Sequence, residues 1–367
     1  MMKQPFYIKN ILFRLEPEKA HHLVLSKLEF LKNISAISRI FKKKYFYTSP
    51  ALRSKIGGLD FINPVGLASG FDKNGIVDHF FEALGFGFYE LGTVTLNPQQ
   101  GHSGKRIWRF PDQLALVNRM GFPNDGVDAL KLRIESKSKH VIRGISIGKN
   151  RTTSLEEASS EYARLISKVF SCSDYFSVNI SSPNTENLAE LGHLKYFKKF
   201  LDDIDQANAI EAKKYQVLPK PIFIKVSPDT DDKTLFEMMG QILERKNFGV
   251  IATNTTTNRN LFSAQMPEEG GLSGKPLADL STKMISKIYK LTQGKIPIIG
   301  CGGIFSVADA LEKIKAGASL LQIYTGFVYS GPKLIREINR GIDEEVSRLG
   351  LNHYTDLIGQ SRVTGAH

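Results

Sequence analysis

The residues Ser177-Val178-Asn179-Ile180-Ser181-Ser182-Pro183-Asn184-Thr185 put two amides and four hydroxyls into one short stretch. Phe176, Val178 and Ile180 alternate with small polar residues, as in a half-buried strand. Pro183 ends the ladder and forces Ser182 into an extended or turn conformation. Such a strand end can offer donors, acceptors and a base to one small planar ligand; an Asx or Ser turn capping the next helix is the structural alternative. Lys73 and Lys225 also fall at strand ends. A cation there can hold a substrate carboxylate or stabilise electron density on a reduced cofactor, with an ion pair to Asp72 the alternative for Lys73. The glycines of Gly300-Cys301-Gly302-Gly303 and of Tyr324-Thr325-Gly326 leave backbone N–H groups free to close on a phosphate. The loop Asn118-Arg119-Met120-Gly121-Phe122 adds another amide. His21-His22 belongs to no HExxH motif and neither cysteine to a CxxC, so the sequence offers no metal site. Nor do the acids pair in a way that suggests glycoside chemistry. Together these residues suit a small anion held beside a phosphate-bearing cofactor.

The elements that must position them begin near residue 53, where strand patterns alternate with helical ones. Strands are expected at Asn63–Ala68, Phe88–Leu91, Ile142–Ile147, Tyr175–Ile180, Pro221–Val226, Gly249–Ala252, Ile296–Ile299 and Leu320–Ile323. Polar or glycine chemistry follows nearly every one: Ser69-Gly70-Phe71-Asp72-Lys73, then Thr93, Lys149-Asn150, Ser182, Thr253-Asn254-Thr255 and the two glycine clusters. That arrangement predicts an α/β fold, a (β/α)8 TIM barrel with its site at the C-terminal strand ends. A doubly wound open sheet is the alternative, but no Gly-x-Gly-x-x-Gly follows the first strand.

Composition narrows the class. The 367 residues are 41% hydrophobic, with 31 glycines, enough for a large core and many tight turns. Cys172 and Cys301 make no disulfide framework, which fits a reducing compartment, with Cys172 a buried small hydrophobe. No run of about 18 apolar residues predicts a spanning helix, and no cleavable export signal is evident. The net charge is +12, and residues 1–44 carry ten Lys/Arg against three Glu, a local excess of +7. Ala20, Val24, Leu28 and Leu31 recur at helical spacing there, among other apolar residues. A basic arm suits nucleic acid or an anionic bilayer; short helices with apolar and basic faces favour the bilayer. A helical cap on the main domain is compatible with this, and Lys42-Lys43-Lys44 reads as a solvated linker. The domains are therefore 1–48, a helical membrane-associating extension, and 49–367, the barrel.

Five stretches in order resemble dihydroorotate dehydrogenase: Gly66-Leu67-Ala68-Ser69-Gly70-Phe71-Asp72-Lys73, Asn118–Phe122, Asn179–Thr185, Thr253-Asn254-Thr255-Thr256 and Gly270-Gly271-Leu272-Ser273-Gly274. With the helical arm, the resemblance is to the quinone-dependent class 2 enzymes and spans roughly residues 10–340. It implies an FMN-containing barrel that oxidises (S)-dihydroorotate to orotate in pyrimidine biosynthesis. It makes Ser182 the base, where class 1 relatives have cysteine, with Thr185 ordering a water beside Phe122. It assigns substrate to Lys73, Asn179, Asn184, Asn254, Thr255 and the loop Asn118, Arg119, Met120, Gly121 and Phe122. It assigns the flavin to Ser69, Gly70, Phe71, Asp72, Lys73, Thr93, Ser146, Asn179, Lys225, Thr253 and Gly274, and its phosphate to Gly303, Tyr324 and Thr325. His21 and Arg109 match the family's quinone-tunnel residues, for ubiquinone or menaquinone. The implied protein is a monomer, peripheral to the cytoplasmic side of the cell membrane.

Two positions depart from the family pattern. Ser146 stands where asparagine is usual, leaving a shorter hydroxyl for the flavin. Asn187 stands where glycine is expected, and the arginine that usually follows is missing; Asn tolerates left-handed backbone better than most residues. A flavin barrel with another substrate or acceptor is the nearest rival reading. A non-catalytic barrel that binds a phosphate ligand is the rival from another class.

Overall fold

The computed structural model describes residues 12–31, 34–77, 80–135, 141–182, 184, 194–262, 267 and 269–360. In chain order its strands are β1 (Ser54–Ile56), β2 (Leu59–Phe61), β3 (Val65–Leu67), β4 (Phe88–Val94), β5 (Ile107–Phe110), β6 (Ala115–Asn118) and β7 (Ile142–Ile147). There follow β8 (Tyr175–Asn179), β9 (Ile222–Val226), β10 (Phe248–Ala252), β11 (Gly271–Gly274), β12 (Ile298–Cys301) and β13 (Leu320–Ile323). Eight of them, β3-β4-β7-β8-β9-β10-β12-β13, close into a parallel barrel. These are the eight strands expected from the sequence, with ends shifted by no more than three residues. The open-sheet alternative is excluded because β13 pairs with β3.

Alternation along each strand separates two cores. Phe176 and Val178 face outward to the helices, as do Ile222, Ile224, Ile298 and Leu321. Phe88, Tyr175, Phe223, Ile251, Ile299 and Leu320 fill the barrel interior. The interior rings need room, and glycines supply it. A Cβ on Gly66 would sit 2.4 Å from the Phe88 ring, and one on Gly144 2.2 Å from that of Tyr175. The hairpin β1–β2 closes the N-terminal end, where the Phe61 ring meets Phe88 edge-on at 5.3 Å.

Between the strands run α3 (Val127–Ile134), α4 (Leu155–Val169), α5 (Leu194–Tyr215), α6 (Asp232–Leu243), α7 (Ala278–Thr292) and α8 (Val307–Ala316), after the arm helices α1 (Pro17–Leu31) and α2 (Ser35–Tyr45). Two helices, α9 (Thr325–Ser330) and α10 (Lys333–Arg348), follow β13. Side chains cap the N-termini of several: Ser154, Asp231 and Ser306 accept from the N–H of Glu157, Thr234 and Asp309. Such a cap is worth about 1 kcal/mol.

Two features differ from expectation. Lys42-Lys43-Lys44 is the last turn of α2 rather than a linker, a position where cations complement the helix dipole. The junction that follows is fastened, since Tyr47 and Ser49 both donate to the Asp343 carboxylate, at 2.6 and 2.7 Å. The second is a three-stranded antiparallel sheet, β11-β6-β5, which carries Asn118 and Gly274 at opposite corners of its pairing.

Candidate active site

The barrel's C-terminal strand ends and the arm helices enclose a single cavity of about 930 Å³, at the upper end of the range for small-molecule sites. Its polar end is built from adjoining strands. Asn179 Nδ2 donates to Thr93 Oγ1 at 3.2 Å, and Thr93 Oγ1 lies 2.9 Å from Ser146 Oγ. Asn254 Nδ2 reaches Asn179 Oδ1 (3.3 Å) and Ser181 Oγ (3.1 Å), while its own Oδ1 accepts from the Thr255 N–H. The Asn179 backbone carbonyl is held by the Tyr162 hydroxyl at 2.8 Å. Each amide is therefore fixed in rotation by a neighbour, as a recognition site requires.

Ser182 lies just past β8, buried, its Oγ accepting from the Asn184 N–H at 3.3 Å. Asn184 Nδ2 donates to the Asn118 carbonyl at 3.1 Å and to Asn118 Oδ1 at 3.3 Å, joining the β8 loop to the small sheet. His102 completes that junction. Its Nε2 is 2.9 Å from the Asn184 carbonyl oxygen, and its ring occupies the space a Cβ on Gly121 would need. Gly121 (φ +67°) and Phe122 (φ +50°) both take the left-handed backbone that turns this loop over the cavity. Lys73 Nζ donates to the Gly70 carbonyl at 2.8 Å, and withdrawal from water pushes its pKa down to about 8. The Asp72 carboxylate accepts from the N–H groups of Ile76 and Val77, so it shapes the loop that presents Lys73.

The opposite wall suits a flavin mononucleotide. Gly302 (φ +123°) and Gly303 (φ +70°) fold the β12 turn, and a Cβ on Gly303 would collide with the Ala278 backbone at 2.4 Å. This leaves bare backbone beside Tyr324 and Thr325, where a phosphate cradle was expected. Lower down, Thr253 Oγ1 and both amide atoms of Gln322 are buried without a protein hydrogen bond among the described residues. Their residues border the cavity together with the buried Lys225. Buried polar atoms without partners are costly, and a heteroaromatic ring with donors and acceptors on its edge would satisfy them. The residues fit the group.

Toward the arm the lining turns apolar, with Leu12, Phe13, Ala20, Val24, Leu25 and Phe41. His21 stands there edge-on to Phe71 at 5.1 Å. Burial, then the charge of Lys73, pushes its pKa down to about 3, so the imidazole is neutral. The Arg109 guanidinium lies 4.7 Å from the Phe13 ring and donates to the carbonyls of Leu12 and Leu15, while Arg106 pairs with Glu18. Strand β5 thereby ties the arm to the mouth of the cavity.

Of the described candidate residues, two are absent from this lining, Ser146 and Arg119. Ser146 sits behind Thr93, which stands between it and the cavity; Arg119 pairs with Glu269; Thr185 lies outside the described residues, as does Asn187. All the others line the one cavity: Ser69, Gly70, Phe71, Asp72, Lys73, Thr93, Asn118, Met120, Gly121, Phe122, Asn179, Ser182, Asn184, Lys225, Thr253, Asn254, Thr255, Gly274, Gly303, Tyr324, Thr325, His21 and Arg109. Sequence reasoning missed His102 and Gln322. A glutamine inside Leu320-Leu321-Gln322-Ile323 was a readable signal; for His102, far from Asn184 in sequence, there was none.

The family model for dihydroorotate dehydrogenase matches residues 51–346. The dihydroorotate dehydrogenase (quinone) of Christiangramia forsetii is 43% identical over 339 residues, 92% of this chain and 98% of that one. That of Idiomarina loihiensis is 45% identical over 332 residues, 90% and 98% of the two chains. Among solved structures, DHODH of Eimeria tenella in complex with ferulenol superposes with a TM-score of 0.82 at 33% identity, covering 95% of this chain and 96% of that one.

Proposed function

This chain belongs to the dihydroorotate dehydrogenase family, and from that premise we propose that it oxidises (S)-dihydroorotate to orotate for pyrimidine (UMP) synthesis and delivers the electrons to a membrane quinone. The cofactor is FMN, held by Ser69, Gly70, Phe71, Asp72, Lys73, Thr93, Asn179, Lys225, Thr253 and Gly274, with its phosphate on Gly303, Tyr324 and Thr325. When bound, it would supply a two-electron acceptor for the hydride that leaves C6 of the substrate and a donor to the quinone. Ser146 supports this wall through Thr93.

Ser182 takes the proton from C5. A serine hydroxyl is a poor base at its ordinary pKa, so the proton must pass onward; Thr185, with a water beside Phe122, is the relay. Asn118, Asn179, Asn184, Asn254 and Thr255 hold the planar ring by its amide edges, and Lys73 holds the carboxylate. The loop Arg119-Met120-Gly121-Phe122 closes that side of the site. His21 and Arg109 mark the path by which ubiquinone or menaquinone enters from an anionic bilayer. The protein works as a monomer bound peripherally at the cytoplasmic face of the cell membrane.

The observation that carries this reading is the continuity of the cavity, polar and amide-lined at the strand ends and apolar between the arm helices. A phosphate sensor needs no apolar extension beside the arm helices. The test is rapid anaerobic mixing: dihydroorotate should bleach the yellow of the FMN-loaded protein, and a quinone should restore it faster than fumarate or NAD⁺. Absence of bleaching would leave the non-catalytic barrel standing, and fumarate or NAD⁺ outpacing quinone would change the acceptor.

A further inference from the structure

Beneath the cavity lies a polar layer that the steps above do not use. Glu90, on β4, is wholly buried in the barrel interior. Its Oε1 accepts from the Tyr175 hydroxyl at 3.1 Å, and its Oε2 has no hydrogen-bond partner among the described residues. Ser177 and Gln322 face the same carboxylate; burial pushes its pKa up, and the charge of Lys225 opposes that and favours the ionised form. Ser177 Oγ and both amide atoms of Gln322 are likewise buried without hydrogen-bond partners among the described residues. Lys225 and Gln322 border the cavity; Glu90, Tyr175 and Ser177 stand one layer below.

A buried acid on this scale costs stability relative to an apolar residue of the same size. Phe88 and Tyr175 show that large rings are accommodated in this interior. A carboxylate at this depth therefore calls for a reason other than packing. Charge supplies one. A flavin gains electron density on reduction; an ammonium beside it favours that change, and a carboxylate beneath opposes it. The pair would hold the reduction potential between the values either charge alone would impose.

We infer that Glu90 acts on the flavin end of the cavity from below: its charge, set against that of Lys225, tunes how readily the bound cofactor is reduced. The inference rests on the FMN reading proposed above.

The test is the reduction potential of the bound flavin, measured by equilibrium titration of the purified holoenzyme. Glu90→Gln keeps the shape and removes the charge. Reduction should become easier, with the equilibrium constant raised about tenfold, or about 30 mV for a two-electron couple. Glu90→Asp, which keeps the charge, should lie closer to the unaltered protein than Glu90→Gln does. An unchanged potential in folded, flavin-loaded Glu90→Gln overturns the inference, even if thermal stability falls, because a purely structural acid would give that result. Should this variant not fold, Tyr175→Phe removes only the hydroxyl that stabilises the ionised carboxylate and should shift the potential upward by a smaller factor. No shift there overturns it equally. An unaltered protein that folds but takes up no FMN refutes the cofactor reading itself, and the role of Glu90 with it.

Discussion

At the residue scale the proposed function bears on three side chains, each through a different property. Ser182 is buried with its Oγ committed to the Asn184 N–H, so Ser182→Ala removes a proton acceptor and little volume. Turnover should fall by at least about a thousandfold, a loss at the scale of general base removal, while FMN and orotate still bind; flavin reduction at the unaltered rate would end the assignment. Lys73 acts through charge. Its pKa of about 8 lies below the ordinary lysine value because it is withdrawn from water, so its ammonium is present below that pH and lost above it. An anion bound beside it favours the protonated form. Orotate affinity should therefore decline above pH 8, by up to about tenfold per pH unit, and Lys73→Met should flatten the profile; a slope that survives in Lys73→Met points to another group. His102 acts through position, bracing the Asn184 carbonyl and the Gly121 turn. His102→Ala should raise KM for dihydroorotate several-fold, about 1 kcal/mol for one lost hydrogen bond, with kcat nearly unchanged and partial recovery in His102→Asn. A fall in kcat alone would place His102 in the chemistry instead.

At the scale of elements, the barrel strands were legible because alternation along each strand is a local signal: Val178 faces the helices while Ser177 faces the interior. The small sheet was not. Its strands are four residues long and pair Gly271 with Asn118 across most of the barrel, so no local pattern announces it. The arm helices show both faces expected of them. Ala20 and Leu25 are buried against the molecule, while Leu23, Phe30 and Ile40 are exposed among Lys19, Lys27, Lys42, Lys43 and Lys44. Among the described residues no helix is long and apolar enough to cross a membrane, and this mixed surface suits an interfacial helix. The full chain should sediment with anionic vesicles and be released by salt, at about 1 kcal/mol per basic residue near the surface. A folded form of residues 49–367 should not sediment; if it does, the arm is a cap and the bilayer contact lies elsewhere.

At the scale of the whole molecule, one cavity unites what the sequence presented as separate motifs. The Asn and Lys residues were readable one strand end at a time, because barrels concentrate their sites at one end. That His21 and Phe71 would meet across the boundary between arm and barrel was not readable from spacing, since it depends on how two separately patterned segments pack. On the proposed function, this single space serves substrate at one end and quinone at the other. Ala20 is buried in the arm's wall of the cavity, where an added indole would fill the apolar end without touching the amides. The most direct measurement follows both half-reactions of Ala20→Trp by anaerobic stopped flow, on protein shown to be folded and flavin-loaded. Dihydroorotate should bleach it at the unaltered rate while reoxidation by a long-chain quinone slows at least about tenfold, the factor that 1.4 kcal/mol of lost access represents. Unaltered quinone reoxidation, or an equal slowing of both half-reactions, would contradict the division of the cavity into two ends.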